Sequence, residues 1–145
     1  DEGTIAKVLG GENLRQGLSE NLGFGALDRG ENVRRVAHVA RLLNEAGLVS
    51  IVALVSPFAA DREAARKIIG EGFFIEVHLD APLPSCEERD ASDLYGRARR
   101  GEIGSLAGVQ TAFEVPRQAD LVLHTHLDEV SSCIERLLAA VRARQ

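Results

Sequence analysis

Redox and metal chemistry have little to draw on in this chain. Its two cysteines, Cys86 and Cys133, have no metal-site spacing, and no secretory apolar stretch precedes them. They are expected to be reduced thiols of a cytosolic, cytoplasmic protein. His124 and His126 form a His-x-His pair at a strand end, but no third ligand is in view. Zinc takes three or four convergent ligands, so neither zinc nor haem is expected, and His38 and His78 are read as structural. No apolar run reaches membrane-spanning length, and there is no internal repeat. Seventeen basic residues against 22 acidic ones give a net charge of -5. A general nucleic-acid binder would want a basic surface. At 145 residues, the chain is one domain by length, large enough to bury a core.

What is there is concentrated between Glu12 and Arg35. Glu12, Asn13 and Arg15 come first, then Asn21-Leu22-Gly23-Phe24, then Asp28-Arg29 and Glu31-Asn32-Val33-Arg34-Arg35. Arginine binds phosphate or sulfate through a fixed fork of donors. A phenylalanine between glycines can stack on a base, because every base has an apolar face. Together they describe a pocket for a nucleotide with an anionic tail. Taken singly, each of these residues is equally well read as a solvated helix start or a core side chain.

The rest alternates helix and strand. Val33, Val36, Ala37, Ala40 and Leu43 mark one helix face, which Gly47 can end in the left-handed conformation. Leu48 to Val55 suits a strand covered on both faces, ended by Ser56-Pro57. Asp61 can cap a short helix through Ile69. Phe73 to Leu79 reads as a strand, Pro82 to Arg89 and Asp93 to Arg100 as helices, and Leu121 to Leu123 as a short strand. Gly101 to Arg117 lacks periodicity and carries glycines, as a mobile lid would. Asp128 can cap a last helix with an inner face of Val130, Ile134, Leu137, Leu138 and Val141. This order predicts an α/β fold, a parallel β-sheet flanked by helices on both faces. Ligands in such sheets sit at the carboxyl ends of the strands, where Ser56 lies. The segment from Glu12 to Arg35 must curl over that same edge. Arg97, Arg99 and Arg100 are placed to face a polyphosphate, or form an exposed basic helix face.

The motifs resemble those of the adenylylsulfate (APS) kinases. Gly10-Gly11-Glu12-Asn13-Leu14-Arg15 resembles DGDN-(V/I)-R, and NLGFGALDRGENVRR resembles the family's (D/N)LGFS-x-x-DR-x-EN-(I/V)RR. Leu54 to Phe58 is similar to FISPY, Cys86 to Asp90 to CExRD, and Leu94-Tyr95 with Ala98 to Ile103 to LYxxARxGEI. Gly108-Val109, Phe113 to Pro116 and Asp120 to Leu123 continue the match, in order and at family spacing.

The resemblance implies a nucleotide-kinase-like P-loop fold that moves the γ-phosphoryl of ATP, with Mg²⁺, to the 3′-hydroxyl of APS, giving PAPS and ADP. It implies that Glu12 stands near that hydroxyl and Mg²⁺. Arg15, Arg29 and Asn32 grip the phosphosulfate beside Asn13, and Phe24 stacks on the adenine. Ser56, treated in the family as a phosphoserine intermediate, is assigned first to substrate contact, with Pro57 beside it. No metal ligand among the side chains is implied beyond Glu12.

The chain also departs from the pattern. Gly10 lacks the first carboxylate of DGDN, and Glu12 is one methylene longer than Asp. In the lid, the second stacking aromatic is Leu106, Gly104 and Ser92 stand where lysines are expected, and loss of one stacked face could cost about 1–3 kcal/mol. Thr4 to Leu9 looks like the helix that follows a P-loop, yet no GxxxxGK[ST] precedes it, and the aligned lysine falls on Glu2. Further residues are therefore expected before Thr4, and others, including a strand, between Leu9 and Gly10. The resemblance implies partners as well: a homodimer or larger homo-oligomer, a fused or associated ATP sulfurylase, no nucleic acid and no membrane. The alternative function is a non-catalytic domain that binds PAPS or APS and regulates a fused sulfurylase, which Gly10, Glu12 and Leu106 favour.

Overall fold

A computed structural model describes residues 3–144 of the chain; Glu2, where the P-loop lysine would align, lies outside them. The chain divides into two compact units, Asp1–Phe74 and Ile75–Gln145. Among the described residues, no helix is long and apolar enough to cross a membrane.

The first unit contains β1 (Ala6–Gly10), α1 (Gly11–Arg15), α2 (Ala26–Glu45), β2 (Val49–Ala53) and α3 (Ala59–Ile69), with a single 3₁₀ turn at Glu71–Phe73. β1 and β2 pair in parallel, from Ala6 opposite Val49 to Gly10 opposite Ala53. Thr4 to Leu9 does not form the helix expected of it: from Ala6 onwards it belongs to β1. Five residues gain little from an isolated helical turn, whose nucleation is unfavourable, and a full ladder with β2 is available instead. β1 runs straight into α1 at Gly11. The strand expected in a missing stretch after Leu9 is thus β1 itself.

α2 is the longest element and the centre of the core. Val33, Val36, Ala37 and Ala40 recur at helical spacing and are all buried. Leu9, Val36 and Ala40 form one cluster with Leu14, Val39, Leu43, Leu54 and Ile69 around it. Val33, Ala37 and Ala65 form a second, backed by Ile68 and Phe74. Asp28 sits in the first turn, where the helix dipole favours a negative charge. Gly47 ends the helix with φ of 83°, as its position in the sequence suggested. Gly30 allows α3 to approach closely: a Cβ there would lie 2.9 Å from Asp61 Oδ1.

β2 is shorter than the apolar run and is not covered on both faces: Ile51 is 44% and Val52 40% exposed. Asp61 does not cap α3. Phe58 holds that position without a side-chain bond, and Asp61 lies inside the first turn.

The second unit contains β3 (Val77–Asp80), α4 (Leu83–Glu88), α5 (Leu94–Arg99), β4 (Leu121–His124) and α6 (Val130–Arg142). β3 and β4 are parallel, with Val77 opposite Leu121. The expected strand from Phe73 starts four residues late, because Phe73 belongs to the 3₁₀ turn and is exposed. Residues 101–117 carry only an isolated bridge between Ala107 and Thr111. Glu129, not Asp128, precedes α6; Asp128 instead accepts a bond of 3.0 Å from Arg136 Nη1. The apolar face expected to point inward on α6 is largely exposed, including Val130, Ile134 and Leu138. The class is therefore α/β with parallel strands and helices, as expected, in two two-stranded sheets.

Glu31 ties the first turns of α2 together. It accepts bonds from Arg34 Nε at 2.7 Å and Arg35 Nε at 2.9 Å. Hydrogen bonds from Arg34 and Arg35 hold its carboxyl down to about 2 from an ordinary value of 4.5. A depressed carboxyl pKa stabilises the fold above the unfolded value and loses that contribution as pH falls through the folded one. Glu31→Gln should therefore lower the thermal midpoint at pH 7, and the gap to wild type should close as pH falls from about 4.5 to 2. Melts at a series of pH values measure it; a gap as wide at pH 2 as at pH 7 would contradict the pairing.

Candidate active site

A cavity of about 560 Å³ opens at the carboxyl end of β2. That volume is in the range of small-molecule sites. Glu12, Arg15, Phe24, Arg29, Asn32, Ser56 and Pro57 line it, along with Gly11, Gln16 and Val33. The segment from Glu12 to Arg35 does curl over the strand edge. α1 brings Glu12 and Arg15, α2 brings Arg29 and Asn32, and the turn after β2 brings Ser56 and Pro57. Asn13 is exposed and is not part of the lining.

The two arginines do more than face an empty space. Arg15 Nη1 donates to the carbonyls of Leu22 at 3.0 Å and Gly23 at 2.8 Å. Arg29 Nε donates to the Phe24 carbonyl at 2.9 Å. Their guanidinium carbons lie 4.2 Å and 5.7 Å from the centre of the Phe24 ring, within cation–π range. Arg35 completes the set by donating to the Leu18 carbonyl at 2.9 Å and Asn21 Oδ1 at 2.8 Å. The irregular stretch between α1 and α2 is thus held by side chains from the helices on either side of it. These bonds join residues several positions apart, so residue spacing alone did not reveal them.

Burial and the neighbouring Arg15 charge push the Arg29 guanidinium below its ordinary pKa. Two cations held together in a partly dry wall repel each other, and an anion between them relieves that cost. Glu12, by contrast, has no hydrogen bond or ion pair among the described residues. It is exposed, on the cavity wall, at the first turn of α1. A hard cation arriving with phosphate would find a suitable carboxylate there.

Asn32 is only 5% exposed, and its Oδ1 has no hydrogen-bond partner among the described residues. Buried acceptors are ordinarily paired, and this one is an exception. Ser56 is the other unusual residue, with φ of 40°.

The remaining residues singled out from sequence belong to the second unit. Arg99 pairs with Glu87, Arg100 Nη2 with Asp93 Oδ2 at 2.8 Å, and Arg97 Nε with Glu102 Oε2 at 3.5 Å. Arg100 also meets Glu102 at 2.7 Å, and these bonds raise its pKa. The half-buried Leu106 donates its N–H to Gln110 Oε1 at 3.0 Å. His124 Nδ1 lies 2.8 Å from Asp80 Oδ2.

Comparison with known proteins places this arrangement in context. A family model described as adenylylsulphate kinase matches residues 1–124. The chain is 52% identical over 139 residues to the adenylyl-sulfate kinase of Paraburkholderia xenovorans, covering 96% of this chain and 77% of that one. It is 46% identical over 137 residues to the adenylyl-sulfate kinase of Aeromonas hydrophila, covering 94% and 70%. Among solved structures, it resembles the Mycobacterium tuberculosis APS kinase CysC in complex with AMPPNP and APS. The TM-score is 0.92 at 39% identity, over 97% of this chain and 82% of that one.

The orphan acceptor gives a test that needs no ligand. Asn32→Leu removes an uncompensated buried oxygen, whose burial costs about 1–3 kcal/mol, and should raise stability by that order. Denaturant unfolding measures it; a clear loss of stability would mean that the Asn32 oxygen is satisfied in the folded chain.

Proposed function

Given that the chain belongs to the adenylylsulfate kinase family, we propose that it transfers the γ-phosphoryl of ATP to the 3′-hydroxyl of adenosine 5′-phosphosulfate, giving PAPS and ADP. The observation that carries the reading is the single cavity lined by Glu12, Arg15, Phe24, Arg29, Asn32 and Ser56. Relatives at 52% and 46% identity carry the name of the kinase, which supports a catalytic domain over a purely sensory one. The solved structure with AMPPNP and APS supports the same pair of substrates.

These residues serve the acceptor side of the reaction. Arg15 and Arg29, close to each other and partly desolvated, hold the phosphosulfate by charge-assisted bonds. Arg15 already covers part of the Phe24 ring, and the adenine stacks against what remains exposed of it. Asn32, on the same wall, joins the two arginines in holding the phosphosulfate. Ser56 and Pro57 contact the substrate at the strand end.

Phosphoryl transfer asks mostly for positioning and charge neutralisation. Glu12 orients the 3′-hydroxyl and takes up its proton as the new bond to phosphorus forms. The wall fits a magnesium ion brought by the nucleotide: among the described residues Glu12 is an unpaired carboxylate, and magnesium takes oxygen ligands. When bound, that ion neutralises charge on the phosphates.

Two measurements test the assignments. Arg29→Ala should weaken APS binding by about 1.5–3 kcal/mol, the worth of a charged hydrogen bond, and leave ATP affinity nearly unchanged. Calorimetry finding equal losses for both nucleotides would remove Arg29 from the acceptor subsite. Glu12→Gln should lower kcat for PAPS formation by about a hundred- to ten-thousand-fold with APS affinity near wild type. Full activity in that variant would take Glu12 out of the chemistry, and folded wild type that binds APS but makes no PAPS would end the kinase reading.

A further inference from the structure

We propose that Arg62, which is outside the cavity, is a positioning residue that holds Ser56 and the turn after β2 in the shape the acceptor nucleotide needs. The proposal rests on the reading of that cavity as the acceptor site.

The turn itself is unfavourable. Ser56 has φ of 40°, a region that side chains other than glycine rarely adopt and that costs about 1–3 kcal/mol. It also precedes a proline, and such residues favour φ near −120°. Local preference therefore pulls Ser56 towards an extended conformation, which would turn the cavity edge away. Two contacts oppose this. Pro57 is among the most deeply buried side chains of the described residues and anchors the far side of the peptide. Arg62 Nη1 donates to the Ser56 carbonyl at 2.8 Å, fixing the plane of the Ser56–Pro57 peptide.

Arg62 is well placed to do this. It lies in the first turn and a half of α3, which Phe58 immediately precedes, and its own N–H bonds back to the Phe58 carbonyl at 3.3 Å. α3 is set against α2 where Gly30 admits Asp61, between Arg29 and Asn32 in sequence. Helix packing thus positions Arg62, and Arg62 positions Ser56. Strain held by the surroundings at a cavity edge is a form of preorganisation. Its loss appears as weaker ligand binding more than as unfolding.

The test is a double-mutant cycle on the full chain with APS as the titrant. Arg62→Met keeps the aliphatic stem and removes the donor. It should weaken APS binding about tenfold with a thermal midpoint near wild type. Arg62→Lys, which restores one donor, should recover most of the affinity. In a Ser56→Gly background, where φ of 40° carries no cost, Arg62→Met should cause little further loss. The Ser56 backbone coupling that reports φ, read by NMR without ligand, should move towards its extended value in Arg62→Met. If Arg62→Met does not fold, Arg62→Gln takes its place in the cycle.

Wild-type affinity in Arg62→Met, an equal loss in both backgrounds, or an unchanged Ser56 coupling would each overturn the positioning role. Failure of wild type to bind APS would overturn the acceptor-site reading instead, and the Ser56 coupling would still decide for or against Arg62.

Discussion

Guanidinium groups bonded to main-chain carbonyls hold the site together. Arg15, Arg29 and Arg35 donate to the carbonyls of Leu22, Gly23, Phe24 and Leu18. The stretch they hold is irregular and mostly exposed, so no core fixes it. An arginine has five donors in a rigid plane. One edge can bind the chain while another faces a ligand, so the groups that shape the loop also create the positive wall. Phe24 is presented over that wall although it is too exposed to be held by burial.

This dual use explains why some changes act at a distance. Removing Arg15 deletes a positive charge from the cavity wall and also releases Leu22 and Gly23. A similar economy operates at Ser56, where a helix residue outside the cavity bonds to the chain on its rim. In both places arginine works against an unfavourable or undetermined backbone, and the hydrophobic core around Val36 and Ala40 supplies the rigid frame from which it acts.

Much of this could be read from residues. The spacing of Val33, Val36, Ala37 and Ala40 gave the buried face of α2, because periodicity reports burial directly. Gly47 marked the helix end because its conformation is one that glycine favours. The polar cluster from Glu12 to Arg35 and the Ser56 strand end came together as expected, because strand order dictates where loops meet. Other features were hidden. Thr4 to Leu9 has no strong local preference, and only the ladder with β2 decides it. Asp61 and Asp128 have the chemistry of caps, but neither holds the capping position. The long arginine bonds and the φ of Ser56 exist only once elements have packed, so neither spacing nor composition shows them.

Every residue of the cavity wall lies between Gly11 and Pro57, inside the first of the two units. During synthesis, chains emerge at about 5–20 residues per second and fold N-terminal parts first. The polypeptide for the whole wall has therefore been made before any residue of the second unit is translated. On the ribosome, the unit that carries the cavity has a head start of several seconds over the unit that follows it.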